Sequence, residues 1–320
     1  MPATMNNDYT ALTTTAALLE RSTAGVLVLT DADRRDFLHR MTTNEINKVK
    51  PGAATVTVLT SPTARILFTF TVLVRAEELW LLPTPGAMTA LERHLRGQIF
   101  FMDKVKVRNP GETLRRTRLM GPQAAQRLTD LGFAATTLTD GHWLEQDGVV
   151  ILAQDKFDVP GFEIIAPPEQ HSALLTQLAT SGVPLLTDES AYERYRIELG
   201  RPLAGHELTD AYNPLEAGLA WTCADNKGCY TGQEIIARQI TYDKITKSLV
   251  GLRSARLLPV GAEILVDGRA VGAVTSATAS SSGTQAPLAL AIVKRPYHEA
   301  GATVNVDGQA VEVVTLPFRS

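Results

Sequence analysis

Cysteine is nearly absent: Cys223 and Cys229 are the only two in 320 residues. Two cannot build a disulfide framework, and they are too few for a cysteine-ligated metal centre. A disulfide between them is one reading, and a reduced setting is the simpler one. Surplus charge is missing too. The net charge of −3 gives no general attraction to nucleic acid or to an anionic membrane, so neither is expected as a direct partner. No apolar run is long enough to span a bilayer. The first residues, Met1 to Asp8, have neither the basic stretch nor the apolar stretch of an export signal. No Gly-x-Gly-x-x-Gly fingerprint follows a strand, which argues against the flavin domain of a demethylase or oxidase. These absences predict a soluble, cytoplasmic protein with no metal site.

What is present has an ordinary globular balance, 44% hydrophobic and 20% charged, in a chain long enough for two or three domains. Gly25 to Thr30 reads as a short buried strand, and Asp31-Ala32-Asp33 supplies capping chemistry for a helix carrying Phe37, Leu38 and Met41 on one face. Strands are expected at 55–59, 66–74, 79–82 and 105–108, with an amphipathic helix through Met88, Leu91 and Leu95. The order recurs from about residue 114. A strand around Leu119 precedes a helix opened by Pro122, strands follow at 149–153 and 162–166, and helices run through Leu174 to Leu178 and from Ser190 to Leu199. This alternation suggests an α+β fold with helices packed on antiparallel sheet. After Lys247 the helical period disappears. Asp267-Gly268 and Asp307-Gly308 each sit between apolar runs as hairpin signals, Ser280 to Gly283 reads as a flexible loop, and the segment 248–320 is expected to be a small β-barrel or sandwich.

The stretch Lys227-Gly228-Cys229-Tyr230-Thr231-Gly232-Gln233-Glu234 places one cysteine between a lysine and a tyrosine, just before the helix-like run to Arg238. Gly228 and Gly232 let the backbone turn sharply or approach another group closely. Lys227 and a following helix N-terminus both favour thiolate over thiol. A buried cysteine beside a turn is the competing reading.

Read with its neighbours, this octapeptide resembles the hallmark of the YgfZ-type folate-binding proteins, relatives of the aminomethyltransferase (T-protein) of the glycine cleavage system. Arg196-Ile-Glu-Leu-Gly-Arg-Pro202, Gly205-His-Glu-Leu208 and Pro214-Leu-Glu-Ala-Gly-Leu219 carry the resemblance upstream. Asp31 to Glu45 and Val271 to Ser276 extend it to both ends. The resemblance implies two α+β subdomains around a central folate-binding hole plus a C-terminal barrel. We expect residues 1–247 to form the folate-binding part, divided into 1–113 with 185–247 and 114–184, and 248–320 the barrel.

The same resemblance implies site residues. Glu198 matches a glutamate that hydrogen-bonds the pterin ring, where two carboxylate oxygens accept from a paired donor edge; its alternative is an ion pair with Arg194. Asn44 matches a pocket-lining segment or is an ordinary helix-terminal asparagine. Trp221 stacks on a flat ligand or is a half-buried core residue. Cys229 is implied to face the hole as nucleophile, redox thiol or transient iron ligand. Lys227 would hold the thiolate or a folate carboxylate, and Tyr230 would pack on the ring system. Gln233 and Glu234 open a helix, and Arg238 is either functional or paired with Glu234. T-proteins carry an aspartate pair before an apolar strand, whereas the matching places here are Phe68 and Thr69. Neither can act as acid or base near neutral pH. The expected function is tetrahydrofolate binding in support of iron–sulfur cluster assembly or repair, and through it tRNA modification, with assembly factors or client proteins as partners. A tetrahydrofolate-dependent aminomethyltransferase and a scaffold with a vestigial pocket are the alternatives.

Overall fold

Alternating β-branched and apolar residues build two five-stranded antiparallel sheets in the computed structural model, which describes residues 2–279 and 286–318, with side chains from Asn7 onward. The expected loop Ser280 to Gly283 lies outside the described residues. The chain runs α1 (Pro2–Thr14), β1 (Ala17–Glu20), β2 (Leu27–Thr30), α2 (Arg34–Met41), β3 (Ala54–Thr60), β4 (Ile66–Val74), β5 (Leu79–Pro83), α3 (Met88–Gly97) and β6 (Lys106–Arg108). It continues with β7 (Arg115–Met120), α4 (Ala124–Asp130), β8 (Trp143–Gln146), β9 (Val149–Gln154), β10 (Gly161–Ala166), α5 (Pro168–Thr180), α6 (Ser190–Glu198) and α7 (Gln233–Thr241). Then come β11 (Lys247–Arg253), β12 (Glu263–Val266), β13 (Arg269–Thr278), β14 (Leu288–Lys294), β15 (Thr303–Val306) and β16 (Gln309–Val314).

The first sheet has the order β3-β4-β5-β2-β6 and the second β1-β7-β10-β9-β8. Because side chains alternate along a strand, each sheet buries both faces. On its outer face the first sheet packs Leu27, Phe70, Val72 and Leu81 against Phe37, Leu38, Leu91 and Leu95 of α2 and α3. The second packs Leu119, Ile151 and Ile164 against Leu128 of α4 and Leu174 and Leu178 of α5. Each buried leucine contributes roughly 2 kcal/mol. The inner faces meet through Val28, Leu73, Trp80 and Leu82 on one side and Val150, Leu152 and Ile165 on the other. At one margin the backbones join directly, Ala54 N to Gly141 O at 2.6 Å and Trp143 N to Gly52 O at 3.1 Å.

The last six strands close into a barrel, β11-β14-β13-β12-β15-β16, which leaves no open edge. Both expected hairpins are present. Asp267-Gly268 has φ of 49° and 74°, and Asp307-Gly308 49° and 76°, the paired left-handed residues of a type I′ turn. Ile197 of α6 packs on Leu288 and Leu290, and Arg196 reaches Ser276 Oγ at 2.8 Å, so one helix ties the barrel to the sheets.

Three local expectations are corrected. The helix expected from Pro122 begins at Ala124, with Pro122 in the preceding turn. Asp33 precedes α2 without capping it, because its carboxylate accepts from Lys104 N at 2.8 Å. The division of 1–113 from 114–184 is crossed by β1, whose residues 17–20 pair with 117–120 of β7.

Candidate functional site

Between the inner faces, where β3 and β4 diverge from β9, the apolar contact gives way to a cavity of about 220 Å³. Its walls include Asn44, Thr55, Val56, Thr71, Asp140, Leu152, Gln154, Lys156, Phe157 and Trp221. Thr71 and Gln154 face each other across the sheets, Gln154 Nε2 donating to Thr71 Oγ1 at 2.6 Å. With Phe157 they separate this cavity from an inner one of about 40 Å³. Trp221 sits on a short helical turn and is 43% exposed, so part of its surface is open. Asp140 Oδ1 accepts from the backbone of Asp155 at 2.7 Å and of Lys156 at 3.4 Å, which shapes the loop presenting the Lys156 ammonium. Burial and the Asp140 charge push the Asp155 carboxyl above its ordinary range.

The inner cavity is a buried ionic site. Arg116 Nε donates to Glu163 at 2.7 Å, and its NH1 donates to Gly25 O and Pro83 O at 2.8 and 3.0 Å. Tyr192 donates its hydroxyl to Asp158 at 2.8 Å, and burial drives that phenol well above its usual range. Arg21 and Arg201 also line it. Such pairs hold when each charge keeps its partner. These residues were missed from sequence. The available signal was Arg116 and Arg118 on one face of an otherwise buried strand, since arginine is rarely buried unpaired.

At β4 the backbone sends Phe68 and Thr69 to opposite faces. Phe68 packs toward the α3 side, its ring 5.7 Å from His94, and both residues border a groove of about 330 Å³ that shares Thr84, Pro85 and Ala204 with the inner cavity. Thr69 is 3% exposed, and its Oγ1 has no hydrogen-bond partner among the described residues.

The expected site residues are only partly brought together. Asn44 and Trp221 both line the larger cavity. The Asn44 amide is committed to the wall itself, donating to Thr55 Oγ1 at 2.9 Å and Val56 O at 2.8 Å while accepting from Glu45 N at 2.9 Å. Glu198 lies elsewhere: its carboxylate accepts from Tyr9 Oη and from Arg194 Nε, both at 2.6 Å, and it lines neither cavity. Its neighbour at i−4 and the α1 phenol occupy both of its oxygens.

The octapeptide flanks the cavity rather than facing it. Lys227 is buried, and its ammonium donates to His39 O at 2.7 Å, Asn44 O at 2.6 Å and Thr42 O, not to the thiol. Desolvation pushes its pKa down to about 8, against the pull of Glu45 and Cys223. Tyr230 lines a separate groove of about 160 Å³ with Cys223 and Gln233. Cys229 is exposed and lines neither cavity. Cys223 is buried, which drives its thiol up to about 11. Of the two glycines only Gly232 is required. It sits at φ 84° before α7, and a Cβ there would come within 2.8 Å of Ser61 O, whereas one at Gly228 would meet nothing. Glu234 and Arg238 form an exposed ion pair at 2.9 Å. Among the described residues no group of three or more His, Cys, Asp or Glu is placed to hold a metal, and no helix is long and apolar enough to cross a membrane.

Two packed sheets around a polar cavity, followed by a closed six-stranded barrel, define the class. The family model for the GCVT N-terminal domain matches residues 1–227, and that for the glycine cleavage T-protein C-terminal barrel domain matches residues 247–318. The chain belongs to the glycine cleavage T-protein family. It is 31% identical to the chloroplastic "Putative transferase" of Arabidopsis thaliana, over 94% of this chain and 71% of that protein. It is 29% identical to the aminomethyltransferase of Desulforamulus reducens, over 93% of this chain and 84% of that one. The crystal structure of the glycine cleavage system aminomethyltransferase T from Bartonella henselae superposes with a TM-score of 0.88, covering 98% of this chain and 89% of that chain at 23% identity, and so shares the fold.

Proposed function

We propose that this chain is a tetrahydrofolate-binding protein of YgfZ type, with Cys229 as its reactive thiol, which supports iron–sulfur cluster assembly or repair and through it tRNA modification. The observation carrying the folate reading is the cavity of about 220 Å³ between the sheets of a T-protein fold, lined by Trp221, Asp140, Lys156 and Asn44. Those residues suit a flat heterocycle with a hydrogen-bonding edge and an anionic tail. Trp221 offers an aromatic face. Asp140 Oδ1 is held by the backbone of Asp155 and Lys156, which leaves Oδ2 as an acceptor for one N–H of the heterocycle edge. Lys156 offers a cation for a tail carboxylate, and the unpartnered Thr69 hydroxyl lies beyond the inner cavity, in the groove on its far side. Bound folate would supply one-carbon or redox chemistry; the chain's part is to bind, orient and exclude water.

A second reading, a tetrahydrofolate-dependent aminomethyltransferase, is favoured by the relatives, several of which carry that name at 26–29% identity over nearly the whole chain. Against it, residues 66–70 read Ile-Leu-Phe-Thr-Phe and offer no carboxylate.

Titration with folinic acid tests the shared part. Saturable binding by wild type that is lost in Asp140→Asn and kept in a correctly folded Glu198→Gln supports the cavity; no binding by wild type sinks it. Methylene-tetrahydrofolate formed from an aminomethylated carrier protein would select the transfer reading. Full restoration of iron–sulfur enzyme activity by Cys229→Ala in a deletion strain would remove the thiol from the first.

A further inference from the structure

The lysine of the octapeptide braces the wall of the cavity from behind, through Asn44. Helix α2 ends at Met41, and its last carbonyls have no partners within the helix. Lys227, more than 180 residues later, fills that end: Nζ donates to His39 O, Thr42 O and Asn44 O. An ammonium has three N–H donors, so all are spent on carbonyls and none remains for a thiolate. Its charge also meets the negative end of α2. The Tyr230 ring lies 5.0 Å from Nζ and covers it. Three further bonds run from the same wall to the chain around the octapeptide: Thr43 Oγ1 to Thr222 O at 2.7 Å, Ala224 N to Thr43 O at 3.0 Å, and Thr60 Oγ1 to Thr231 O at 2.6 Å.

We propose that Lys227 is a positioning residue: its buried ammonium fixes the Thr42–Asn44 wall of the ligand cavity and locks to that wall the loop carrying Cys229. The role in ligand binding rests on the folate reading above. The motif's lysine and cysteine then have separate tasks, the first facing inward to hold the pocket and the second left exposed on the loop.

The proposal has a pH signature. A neutral amine offers two N–H groups, so one of the three carbonyls loses its donor when Lys227 deprotonates, and the wall loosens. The groups facing Lys227 are His39 and Glu45 on the α2 side and Cys223 and Tyr230 on its own segment. Burial holds His39 below its ordinary value; at Glu45 desolvation acts upward, but hydrogen bonds from Lys48 together with the charges of His39 and Lys48 hold it below its own. Burial raises Cys223 and Tyr230. Lys227, at about 8, is the member of this group that titrates just above neutrality. Its folded pKa lies below the unfolded 10.5, so the unfolded chain binds more protons between those values. Global stability from this group is therefore flat below the folded pKa and rises with pH above it. Ligand affinity is expected to move the opposite way, so its loss is not unfolding.

The test is calorimetric titration of folinic acid against wild type from about pH 7 to about pH 9, together with amide hydrogen exchange corrected for intrinsic rates. Wild-type affinity should fall severalfold over that range, while Lys227→Met should bind weakly at neutrality with no pH dependence. Exchange at residues 42–45 should quicken in Lys227→Met, and in wild type at the alkaline end, while protection of the barrel core is kept. Unchanged exchange at 42–45 in both comparisons, or wild-type affinity flat through this range, overturns the proposal; the wild-type series decides even if the variant does not fold. Quickened exchange at 42–45 in a wild type that never binds folinic acid supports the strut and sinks the folate reading.

Discussion

A carboxylate held between a guanidinium and a phenol has little capacity left for a ligand. Glu198 is in that position, 3% exposed, with Arg194 and Tyr9 on its two oxygens. Its pairing with Arg194 was readable from the i−4 spacing; the Tyr9 contact spans 189 residues and was not. Removing the carboxylate strands a buried guanidinium, so Glu198→Ala should destabilise the fold by about 3 kcal/mol, measured by urea unfolding. Glu198→Gln, which keeps one acceptor, should lose less. The thiols separate in the same way. Cys229 is exposed, while Cys223 is buried with a thiol driven up to about 11. One fast-reacting thiol per native chain is expected with a disulfide reagent near neutral pH, and none in Cys229→Ser. A second fast thiol in wild type would mean that the Cys223 groove opens.

Turn chemistry made some elements readable and its absence hid others. Asp-Gly pairs mark two barrel hairpins, and Asp147-Gly148, with φ of 51° and 78°, makes the same turn between β8 and β9. Helix α1 lacks an amphipathic period, and β1 is four residues long, so neither declared itself. Their placement depends on long-range partners: β1 pairs with β7, and Tyr9 of α1 meets Tyr195 edge-on. The octapeptide's helix was visible, but the contact that fixes its start was not. Gly232 sits at φ 84° with Ser61 O and Ala64 Cα where a side chain would be. Gly232→Ala should therefore cost about 1–3 kcal/mol from the left-handed backbone and the clash. Gly228→Ala has open space and no positive φ, and should fall within about 0.5 kcal/mol of wild type. Equal losses at the two glycines, read from denaturant midpoints, would contradict this account of the turn.

The cavity exists because two sheets drawn from distant parts of the chain meet face to face, and composition and periodicity do not specify that juxtaposition. Resemblance supplied the two sheet-bearing units and the barrel. It did not supply Asp140, Lys156 or Gln154, whose roles depend on where the 140 and 155 loops cross the sheet margin. Helix α6 joins the parts, with Tyr192 at the inner cavity and Arg196 bonded to Glu207 and Ser276 at the barrel. A ligand that binds only the folded chain stabilises it by mass action, about 2.7 kcal/mol when present at 100 times its Kd. Folinic acid at that excess should raise the calorimetric transition by several degrees. Because α6 spans the inner cavity, which adjoins the ligand cavity, and the barrel, both should move together as one transition. Arg196→Met breaks the buried pair with Glu207 and the hydrogen bond from α6 to Ser276 of the barrel. It should lower Tm and separate a barrel transition that no longer responds to folinic acid. A ligand-responsive single transition surviving in Arg196→Met would show that apolar packing at Ile197, not the polar contacts of Arg196, couples barrel to sheets.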